Sequence, residues 1–495
     1  MIGRLLGRLN SGLRSFPDTG AAPGAGSGLI VGFYFFLLLI ALLTRLETLV
    51  LLENDDMTHA AMGLSILTTG DWFTMHQGVI VSMIKPPLYF WIEAALFKCF
   101  GASEYWARFP SAVMGFLSIV LAYKIVRRLW DEKTAFLSLL VFSYSFFFLK
   151  YSRRAMLDVP VAFATTLGIY ALVKAEYDDK KKFYALFGVS AALGYYFKGV
   201  QGLYLFGIAP VYFALSGRPG KAFSRYFLGA AALSLGLIAL WAAPQTLEHG
   251  GVFIQSQSAL GPLLNMGIGS KHNHFYQPFL ALLGIYWPWI PFSLFGLWLS
   301  VKGLREAADA RRSALLLSWF AVILLALSVS SAFYLRYLIP LMIPFGIFAA
   351  LALARLIKDA DMGYAKRLSA AVYACLVTLI VCFPVKLDRQ GTEYFSFYRT
   401  VNQVAPKEAG ILLYKEKVYK FVDGLVFYSG RTLDKQVTDE EALLAEYSAG
   451  AADKFTVASA ADFKELAASP KMSRARLDVA ASSDNWVLFK VRGIK

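Results

Sequence analysis

Long apolar runs alternate with short polar loops along roughly the first 387 of the 495 residues of this chain. Each run holds about 15 to 25 residues, which is enough for a helix to cross a bilayer. The runs are continuous and do not alternate residue by residue, which favours helices over a membrane barrel. The pattern predicts about eleven transmembrane helices, at residues 28–50, 107–127, 134–150, 157–174, 183–198, 199–216, 223–243, 278–301, 313–331, 334–354 and 368–386.

One long loop, residues 51–106, holds a further apolar stretch, "KPPLYFWIEAALFKCFG", in which two prolines follow the first lysine. If this stretch crossed the membrane, every later loop would change sides and the distribution of basic residues would invert. We therefore expect residues 86–100 to form a helix along the membrane surface, with Tyr89 and Trp91 at headgroup depth. Residues 57–68 are expected to form a second such helix.

The composition changes after about residue 387, where strand-like and helix-like patterns of ordinary polarity alternate, as in "GILLYKEKVYKFVDGLVFYSG" and "DNWVLFKVRG". We therefore predict an all-α polytopic membrane protein with a C-terminal soluble α/β domain. The expected division is a transmembrane domain over residues 1–387 and a soluble domain over residues 388–495.

The formal net charge of +15 does not indicate nucleic-acid binding, because the basic residues cluster in short loops between the predicted spans. With the N-terminus in the cytoplasm, the strongly basic loops, such as "KIVRRLWDEK" and "VKGLREAADARR", fall on the cytoplasmic side, as the positive-inside rule expects. This orientation predicts a bacterial inner-membrane protein whose C-terminal domain faces the periplasm.

The predicted spans hold few ionisable residues near their middle, whereas an ion-coupled transporter usually keeps such groups there. Charged residues from separate elements collect instead at span ends on the predicted outer side. They are Glu53, Asp55, Asp56, Lys85, Arg153, Arg154, Asp158, Lys198 and Arg336. Elements that are far apart in the sequence thus place charged residues at the same depth in the membrane, which favours chemistry at the outer membrane surface.

A sugar joined to a polyprenyl phosphate would present its head at that depth. Transfer of the sugar to a hydroxyl needs a carboxylate to take the hydroxyl proton and a cation to stabilise the departing lipid phosphate. Asp55 or Asp56 can supply the carboxylate, and Lys85 with an arginine can supply the positive charge. One direct displacement would invert the anomeric centre.

Four blocks in this order, "ENDDMTHAAMGLSILTTGDW", "KPPLYFW", "FGASEYWARFPSAV" and "YSRRAMLDVP", resemble the GT-C glycosyltransferases of the aminoarabinose-transferase and protein O-mannosyltransferase superfamily. Later blocks, "GYYFKGVQGL", "YWPWIPF" and "SAFYLRYLIPL", are similar to the same family, so the resemblance covers about residues 29–355. It implies the GT-C fold, a polyprenyl-phosphate-sugar donor, and a hydroxyl or phosphate acceptor on lipid A or another glycolipid.

The resemblance also implies roles for individual residues. Asp55 matches the catalytic base, Asp56 stands where the family usually has Glu, and Asp158 is similar to a residue needed for activity. Lys85 matches the lysine that holds the donor phosphate. The predicted catalytic residues are Asp55, Asp56 and Asp158, and the predicted donor-phosphate residues are Lys85, Arg153, Lys198 and Arg336.

Other interpretations of these residues stay open. Asp55 and Asp56 could be a solvated pair at a span end, Lys85 could snorkel to the interface, and Arg153 or Arg336 could bind lipid headgroups. Histidines near Asp and Glu leave a divalent metal open, although their spacing matches no strong zinc motif and no cofactor is firmly predicted. The candidate contacts to the sugar or acceptor are His59, Tyr89, His272, His274 and Tyr337.

Other functions stay open as well. Protein Ser or Thr is the second candidate acceptor after a glycolipid. A flippase or transporter of lipid-linked sugars would bind the same donor without chemistry, and a binding scaffold would act through its soluble domain. The expected partners are a polyprenyl-phosphate-sugar, its acceptor and membrane lipids, with no nucleic acid.

Overall fold

The computed structural model describes residues 25–48, 51, 55–77, 80–257, 275–330, 333–382, 390–415, 423–431, 433–448 and 453–492. Its helices in chain order are α1 (Ala25–Leu43), α2 (Asp55–Thr69), α3 (Leu88–Phe100), α4 (Glu104–Leu129), α5 (Glu132–Ser143), α6 (Phe146–Ser152), α7 (Asp158–Glu176), α8 (Phe183–Lys198), α9 (Tyr204–Leu215), α10 (Arg225–Gln257), α11 (Gln277–Ile285), α12 (Ile290–Gly303), α13 (Ala310–Ser328), α14 (Ile339–Leu356), α15 (Met362–Cys382), α16 (Gln390–Val404), α17 (Glu440–Ser448) and α18 (Ala460–Ala468). The strands are β1 (His76–Gln77), β2 (Ile80–Val81), β3 (Gly410–Tyr414), β4 (Lys435–Val437), β5 (Lys454–Ser459), β6 (Arg476–Ser482) and β7 (Trp486–Arg492).

Each predicted span falls on helix in this structure, and the two predicted surface segments are the helices α3 and α2. Among the described residues, six helical segments are long and apolar enough to cross a membrane, or seven if a bent pair counts as one span. The predicted number of about eleven therefore includes several helices shorter than a full span. Helix α1 also ends at Leu43, before the predicted residue 50.

Two predicted spans are interrupted. The span at 134–150 is the bent pair of α5 and α6, whose axes differ by 67°, and Ser145 at the break donates its hydroxyl to the Val141 carbonyl at 2.7 Å. Such back-bonding by serine bends helices. The span at 278–301 is split into α11 and α12 around residues 286–289, where Pro288 cannot donate a backbone hydrogen bond.

Contacts divide the chain into two compact units. The first contains Met1–Thr44, Ser111–Arg153 and Leu157–Phe383, and the second contains Arg45–Pro110, Arg154–Met156 and Pro384–Lys495. The first loop and the C-terminal segment thus belong to one unit. The predicted boundary between residues 387 and 388 would place them in different domains.

The first unit is a bundle of apolar helices around α14. The segment Leu335–Leu356 is 83% buried over its most apolar window, whereas α10 is only 22% and α15 only 17% buried. The apolar surfaces of α10 and α15 therefore suit contact with lipid. Helices α12 and α14 approach closely because Gly296 lacks a side chain, and a Cβ atom there would overlap the Phe348 carbonyl oxygen.

The second unit contains a five-stranded mixed sheet in the order β4-β3-β5-β7-β6. Strand β3 is parallel to β4 and β5, and β7 is antiparallel to β5 and β6. Alternate side chains such as Leu412, Tyr414 and Phe489 form a core with Leu443 of α17 and Leu466 of α18. The predicted α/β character of the C-terminal segment is confirmed.

The same unit contains α2, α3 and the β1-β2 hairpin. The Phe97 ring of α3 lies 5.9 Å from the ring of Phe427, which follows β3 in the chain. The backbone amide of Leu51 donates to the Tyr428 hydroxyl at 3.0 Å. These contacts attach the first loop to the C-terminal segment.

Candidate functional site

Charged side chains of the second unit gather around α2, which begins at Asp55. The first turn of α2 holds Asp55 and Asp56, where negative charge is favoured by the helix dipole. Asp55 is half-buried, whereas Asp56 is 1% exposed. The two adjacent carboxylates therefore lie in different environments, which separates their roles.

Asp56 is held by an ion pair and a backbone hydrogen bond. Its Oδ2 accepts from Arg108 Nη2 at 2.9 Å, and its Oδ1 accepts from the backbone amide of Ala155 at 2.5 Å. Arg108, which is 4% exposed, also donates to the Leu46 carbonyl at 2.7 Å. A buried carboxylate with these donors is suited to fixing backbone geometry. The predicted catalytic role of Asp56 stays a prediction, and this geometry favours a positioning role.

Two side chains of α2, Asp56 and His59, bind the backbone N–H and C=O groups of Ala155. Its carbonyl accepts a hydrogen bond from His59 Nδ1 at 2.6 Å, which places the proton on Nδ1 because a carbonyl oxygen only accepts. The His59 ring is buried beside the rings of Tyr89 and Phe90, with centroids 6.2 Å and 5.8 Å away. Asp158, a predicted catalytic residue, follows Ala155 by three positions in the chain.

Tyr89, which was predicted to lie at headgroup depth, is buried inside the second unit, and its depth in the membrane stays a prediction. Its side chain is 0% exposed and its hydroxyl donates to the Ala107 carbonyl at 3.1 Å. Tyr89 faces the interior because α3 packs that side of the helix against α2, so that the buried residues of α3 are on the α2-facing stripe. The proposed contacts of His59 and Tyr89 with a sugar or acceptor stay predictions, and burial favours structural roles for both.

Lys85 precedes the two prolines that lead into α3 and is half-buried. Attraction to Lys85 lowers the pKa of two buried carboxyl groups, Glu93 and Asp423, against the larger raising effect of burial. Repulsion from Asp55 raises the pKa of Asp423. Lys85 and Asp55 therefore lie within electrostatic reach of the same carboxyl group, as a site made from both requires.

Glu93 is a buried carboxyl group that the sequence analysis did not single out. It is 0% exposed, and neither carboxyl oxygen has a hydrogen-bond partner among the described residues. Burial, with repulsion from Asp56, raises the pKa of Glu93 well above its ordinary value. Its side chain fits because α2 has a glycine opposite it, Gly63.

Replacing Gly63 by alanine is expected to destabilise the protein by about 1–3 kcal/mol, the usual cost of overpacking. The added Cβ atom would lie 2.7 Å from Glu93 Cβ, which cannot swing away as the end of a flexible chain could. Thermal unfolding of the detergent-solubilised protein measures the effect. Gly229→Ala in α10, where a Cβ atom meets nothing within 4 Å, is the control. Equal stability of the two variants would contradict close packing at Gly63.

Asp423 is a second buried carboxyl group that the sequence analysis did not single out. Its Oδ2 accepts from Thr58 Oγ1 at 2.6 Å and from Gln77 Nε2 at 3.0 Å. Burial raises the pKa of Asp423 to about 6, against the lowering effects of the two hydrogen bonds and of Lys85. The C-terminal segment thus adds an acidic group to the surroundings of Asp55 and Lys85.

A second group of charged residues lies in the first unit at the start of α7. Asp158 is 3% exposed and accepts from Lys198 Nζ at 2.5 Å, while Arg336 Nε lies 3.8 Å from its other oxygen. The Lys198 ammonium also lies 3.9 Å from the centroid of the Tyr337 ring. The structure thus brings together Asp158, Lys198, Arg336 and Tyr337, four residues that the sequence singled out.

Arg153 lies in the first unit at the end of α6. Its guanidinium donates to the carbonyl of Ala41 and, at 2.8 Å, to the carbonyl of Thr44. These carbonyls belong to the C-terminal end of α1, where a cation is favoured. The geometry favours capping of α1, and the predicted contact of Arg153 with the donor phosphate stays a prediction.

Glu53, His272 and His274 lie outside the described residues. Within the described part of the chain, no three His, Cys, Asp or Glu side chains come together in an arrangement that could hold a metal ion. The part of the metal hypothesis that involves the two histidines of "KHNH" is therefore untested.

Arg108, Glu93 and Asp423 share a signal that could have revealed them. Each is the single charged residue of a mostly apolar run, in "YWARFPSAV", "YFWIEAALF" and "FVDGLVF". Charged residues in such runs are buried only when a partner or a function retains them. The partners of Arg108 and Asp423 are far away in sequence, so periodicity alone does not connect them.

Comparison with known proteins agrees with this architecture. The family model of dolichyl-phosphate-mannose-protein mannosyltransferase matches residues 84–242. The undecaprenyl phosphate-α-4-amino-4-deoxy-L-arabinose arabinosyl transferase 1 of Proteus mirabilis is 26% identical over 326 residues, 64% of this chain and 58% of the relative. An uncharacterized protein of Aquifex aeolicus is 30% identical over 205 residues, 41% of this chain and 40% of the relative. The chain thus spans less than two thirds of the length of these relatives.

Solved structures share the fold over more of the chain. ArnT from Cupriavidus metallidurans, bound to undecaprenyl phosphate, superposes with a TM-score of 0.74 at 15% identity, covering 94% of this chain and 98% of that one. The archaeal oligosaccharyltransferase AglB from Archaeoglobus fulgidus gives a TM-score of 0.52 at 12% identity, covering 87% and 69%.

The fold defines the class of this protein: it is a multi-pass membrane protein of the GT-C fold with a C-terminal soluble α/β domain, as predicted. Within this class, the chain resembles the branch of the aminoarabinose transferases and protein mannosyltransferases. The predicted resemblance is confirmed.

Proposed function

We propose that this protein is an inverting glycosyltransferase that moves a sugar from a polyprenyl-phosphate donor to a glycolipid such as lipid A. The observation that carries the proposal is that a half-buried carboxylate, Asp55, and a half-buried ammonium, Lys85, act on the same buried carboxyl group. A base and a cation in the same unit of the fold are what displacement of a lipid phosphate by a hydroxyl needs.

In the proposed reaction, the acceptor oxygen attacks the anomeric carbon of the sugar while Asp55 takes the hydroxyl proton. The bond between the anomeric carbon and the phosphate oxygen breaks, and its electron pair leaves with the lipid phosphate. Lys85 stabilises the negative charge that grows on that phosphate. The proton ends on Asp55, and the sugar is inverted at its anomeric carbon.

The charged group of the first unit suits the donor phosphate. Lys198 and Arg336 carry two positive charges against the one negative charge of Asp158. The net positive charge favours an anionic ligand, and Asp158 holds both cations in place. We assign Lys198 and Arg336 to phosphate binding and Asp158 to their orientation.

The name of the Proteus mirabilis relative supports an undecaprenyl-phosphate-linked sugar as donor. A glycolipid is the first proposed acceptor because the sequence blocks resemble the aminoarabinose-transferase branch. Protein Ser or Thr is the second, because the matching family model describes transfer to protein. The basic cytoplasmic loops support placement in the inner membrane, with the chemistry and the C-terminal domain on the periplasmic side.

Reconstitution of the purified protein in liposomes with a polyprenyl-phosphate-sugar tests the proposal. Mass spectrometry is expected to detect free polyprenyl phosphate together with a glycosylated acceptor when lipid A is present. Lipid A and a Ser/Thr peptide offered separately distinguish the two acceptors. Movement of the intact donor between leaflets without its cleavage would support a flippase and contradict the proposed transfer.

A further inference from the structure

We propose that Asp423, from the C-terminal segment, is a positioning residue that orients the first turn of α2 for transfer. The inference rests on the proposed function and assigns the C-terminal segment a specific part in it. Asp423 would act through Thr58 and Gln77, and would not itself exchange a proton with the substrate.

The hydrogen bonds of Asp423 connect two elements of the first loop. Thr58 lies three positions after Asp55, on the same face of α2, and Gln77 belongs to β1. Both donate to a single carboxyl oxygen, Oδ2. Oδ1 is buried and has no hydrogen-bond partner among the described residues. One carboxyl group thus holds the helix that carries Asp55 against the β1-β2 hairpin.

Burial makes this arrangement costly for an ionised group. Asp423 is 2% exposed, and both the loss of hydration and repulsion from Asp55 favour its protonated form. Lys85 and the two hydrogen bonds favour the ionised form. The balance raises the pKa of Asp423 to about 6, so its charge changes within a pH range that the enzyme can be assayed in.

Ionisation of Asp423 strengthens the contacts that position the site. Above pH 6, the carboxylate attracts the Lys85 ammonium and accepts charge-assisted hydrogen bonds from Thr58 and Gln77. Below pH 6, the neutral group loses the attraction to Lys85. We therefore expect transfer activity to rise with pH through about 6.

Stability is expected to change in the opposite direction. Because the folded-state pKa is raised above the model value of 3.8, the folded state binds the proton more tightly than the unfolded state. The stabilisation from the protonated form is fully present below the unfolded pKa and is lost as pH rises through about 6. An asparagine at this position cannot ionise and avoids that loss.

The test is Asp423→Asn in the full-length protein, assayed by release of polyprenyl phosphate between pH 5 and pH 8. The amide oxygen can still accept from Thr58 and Gln77, so the fold is kept. We expect kcat above pH 7 to fall about tenfold, the effect of losing one charge-assisted interaction, and the inflection near pH 6 to disappear. The melting temperature at pH 7.5 is expected to be equal to or higher than that of the wild type.

Two further variants make the result decisive. Asp423→Glu keeps an ionisable group and is expected to restore the inflection in part. Asp453→Asn, which changes an exposed carboxylate that pairs with Lys490 in the same segment, is the control and is expected to leave the profile unchanged. An inflection retained in Asp423→Asn, or a joint loss of melting temperature and activity, would overturn the inference. Absence of transfer by the wild type would instead overturn the proposed function.

Discussion

Replacing Asp55 by asparagine is expected to reduce sugar transfer by about 10²- to 10⁴-fold, the usual contribution of a positioned general base. The amide cannot take the proton of the acceptor hydroxyl, so the chemical step slows. The loss is expected in kcat, since the carboxylate acts on the acceptor during displacement. Single-turnover release of polyprenyl phosphate from saturating donor measures it.

The fold of this variant is expected to survive. Asparagine remains suitable at the start of a helix, and the lost charge–dipole interaction is worth only about 0.3–1 kcal/mol. Glu47→Gln, which removes an exposed carboxylate in the same unit, is the matched control and is expected to retain activity. Near-normal turnover by a folded Asp55→Asn protein would remove Asp55 as the base.

Replacing Arg108 by methionine is expected to cost about 3–5 kcal/mol of the free energy of unfolding. The change leaves the Asp56 carboxylate buried without its ionic partner, and it removes the hydrogen bond to the Leu46 carbonyl. The desolvation cost of the remaining charge is the source of the large effect. Thermal and SDS-induced unfolding in detergent micelles measure it.

The same helix offers a matched control. Arg127, near the other end of α4, pairs with Glu132 at 2.8 Å but is 46% exposed, so Arg127→Met is expected to change stability by about 0–1 kcal/mol. Adding Asp56→Asn to the Arg108 variant is expected to recover part of the stability, because the unpaired charge is then removed. Equal losses for the Arg108 and Arg127 variants would show that the buried pair has no special energetic role.

The sequence predicted the helices well because long apolar runs have few other ways to satisfy their backbone in a membrane. It did not predict the bend after Ser143 or the break at 286–289, since Ser143, Ser145 and Pro288 lie in runs that are mostly apolar and long enough to be single spans. The β1-β2 hairpin was also missed, because its strands are only two residues each and give no alternating pattern.

The sequence predicted which charged residues belong to the candidate site, but it did not predict which of them pair. Asp158 and Lys198 were both singled out, but their contact joins residues 40 positions apart and no periodic pattern encodes it. The charge pattern alone did not separate the two adjacent aspartates, whereas the structure shows that Asp56 is buried and paired with Arg108 and that Asp55 is half-buried. Asp423 lies in a segment that was predicted only to be a soluble domain. Its hydrogen bond with Thr58 is seen only in the tertiary structure.

The hydrogen bond between Thr58 and Asp423 joins residues 365 positions apart. At about 5 to 20 residues per second, a ribosome needs roughly 20 to 70 s to synthesise the intervening chain. The first loop therefore emerges long before the partner that anchors it. A nascent chain released before residue 423 would lack this carboxyl group, so α2 and the β1-β2 hairpin would lack the contact that holds them together.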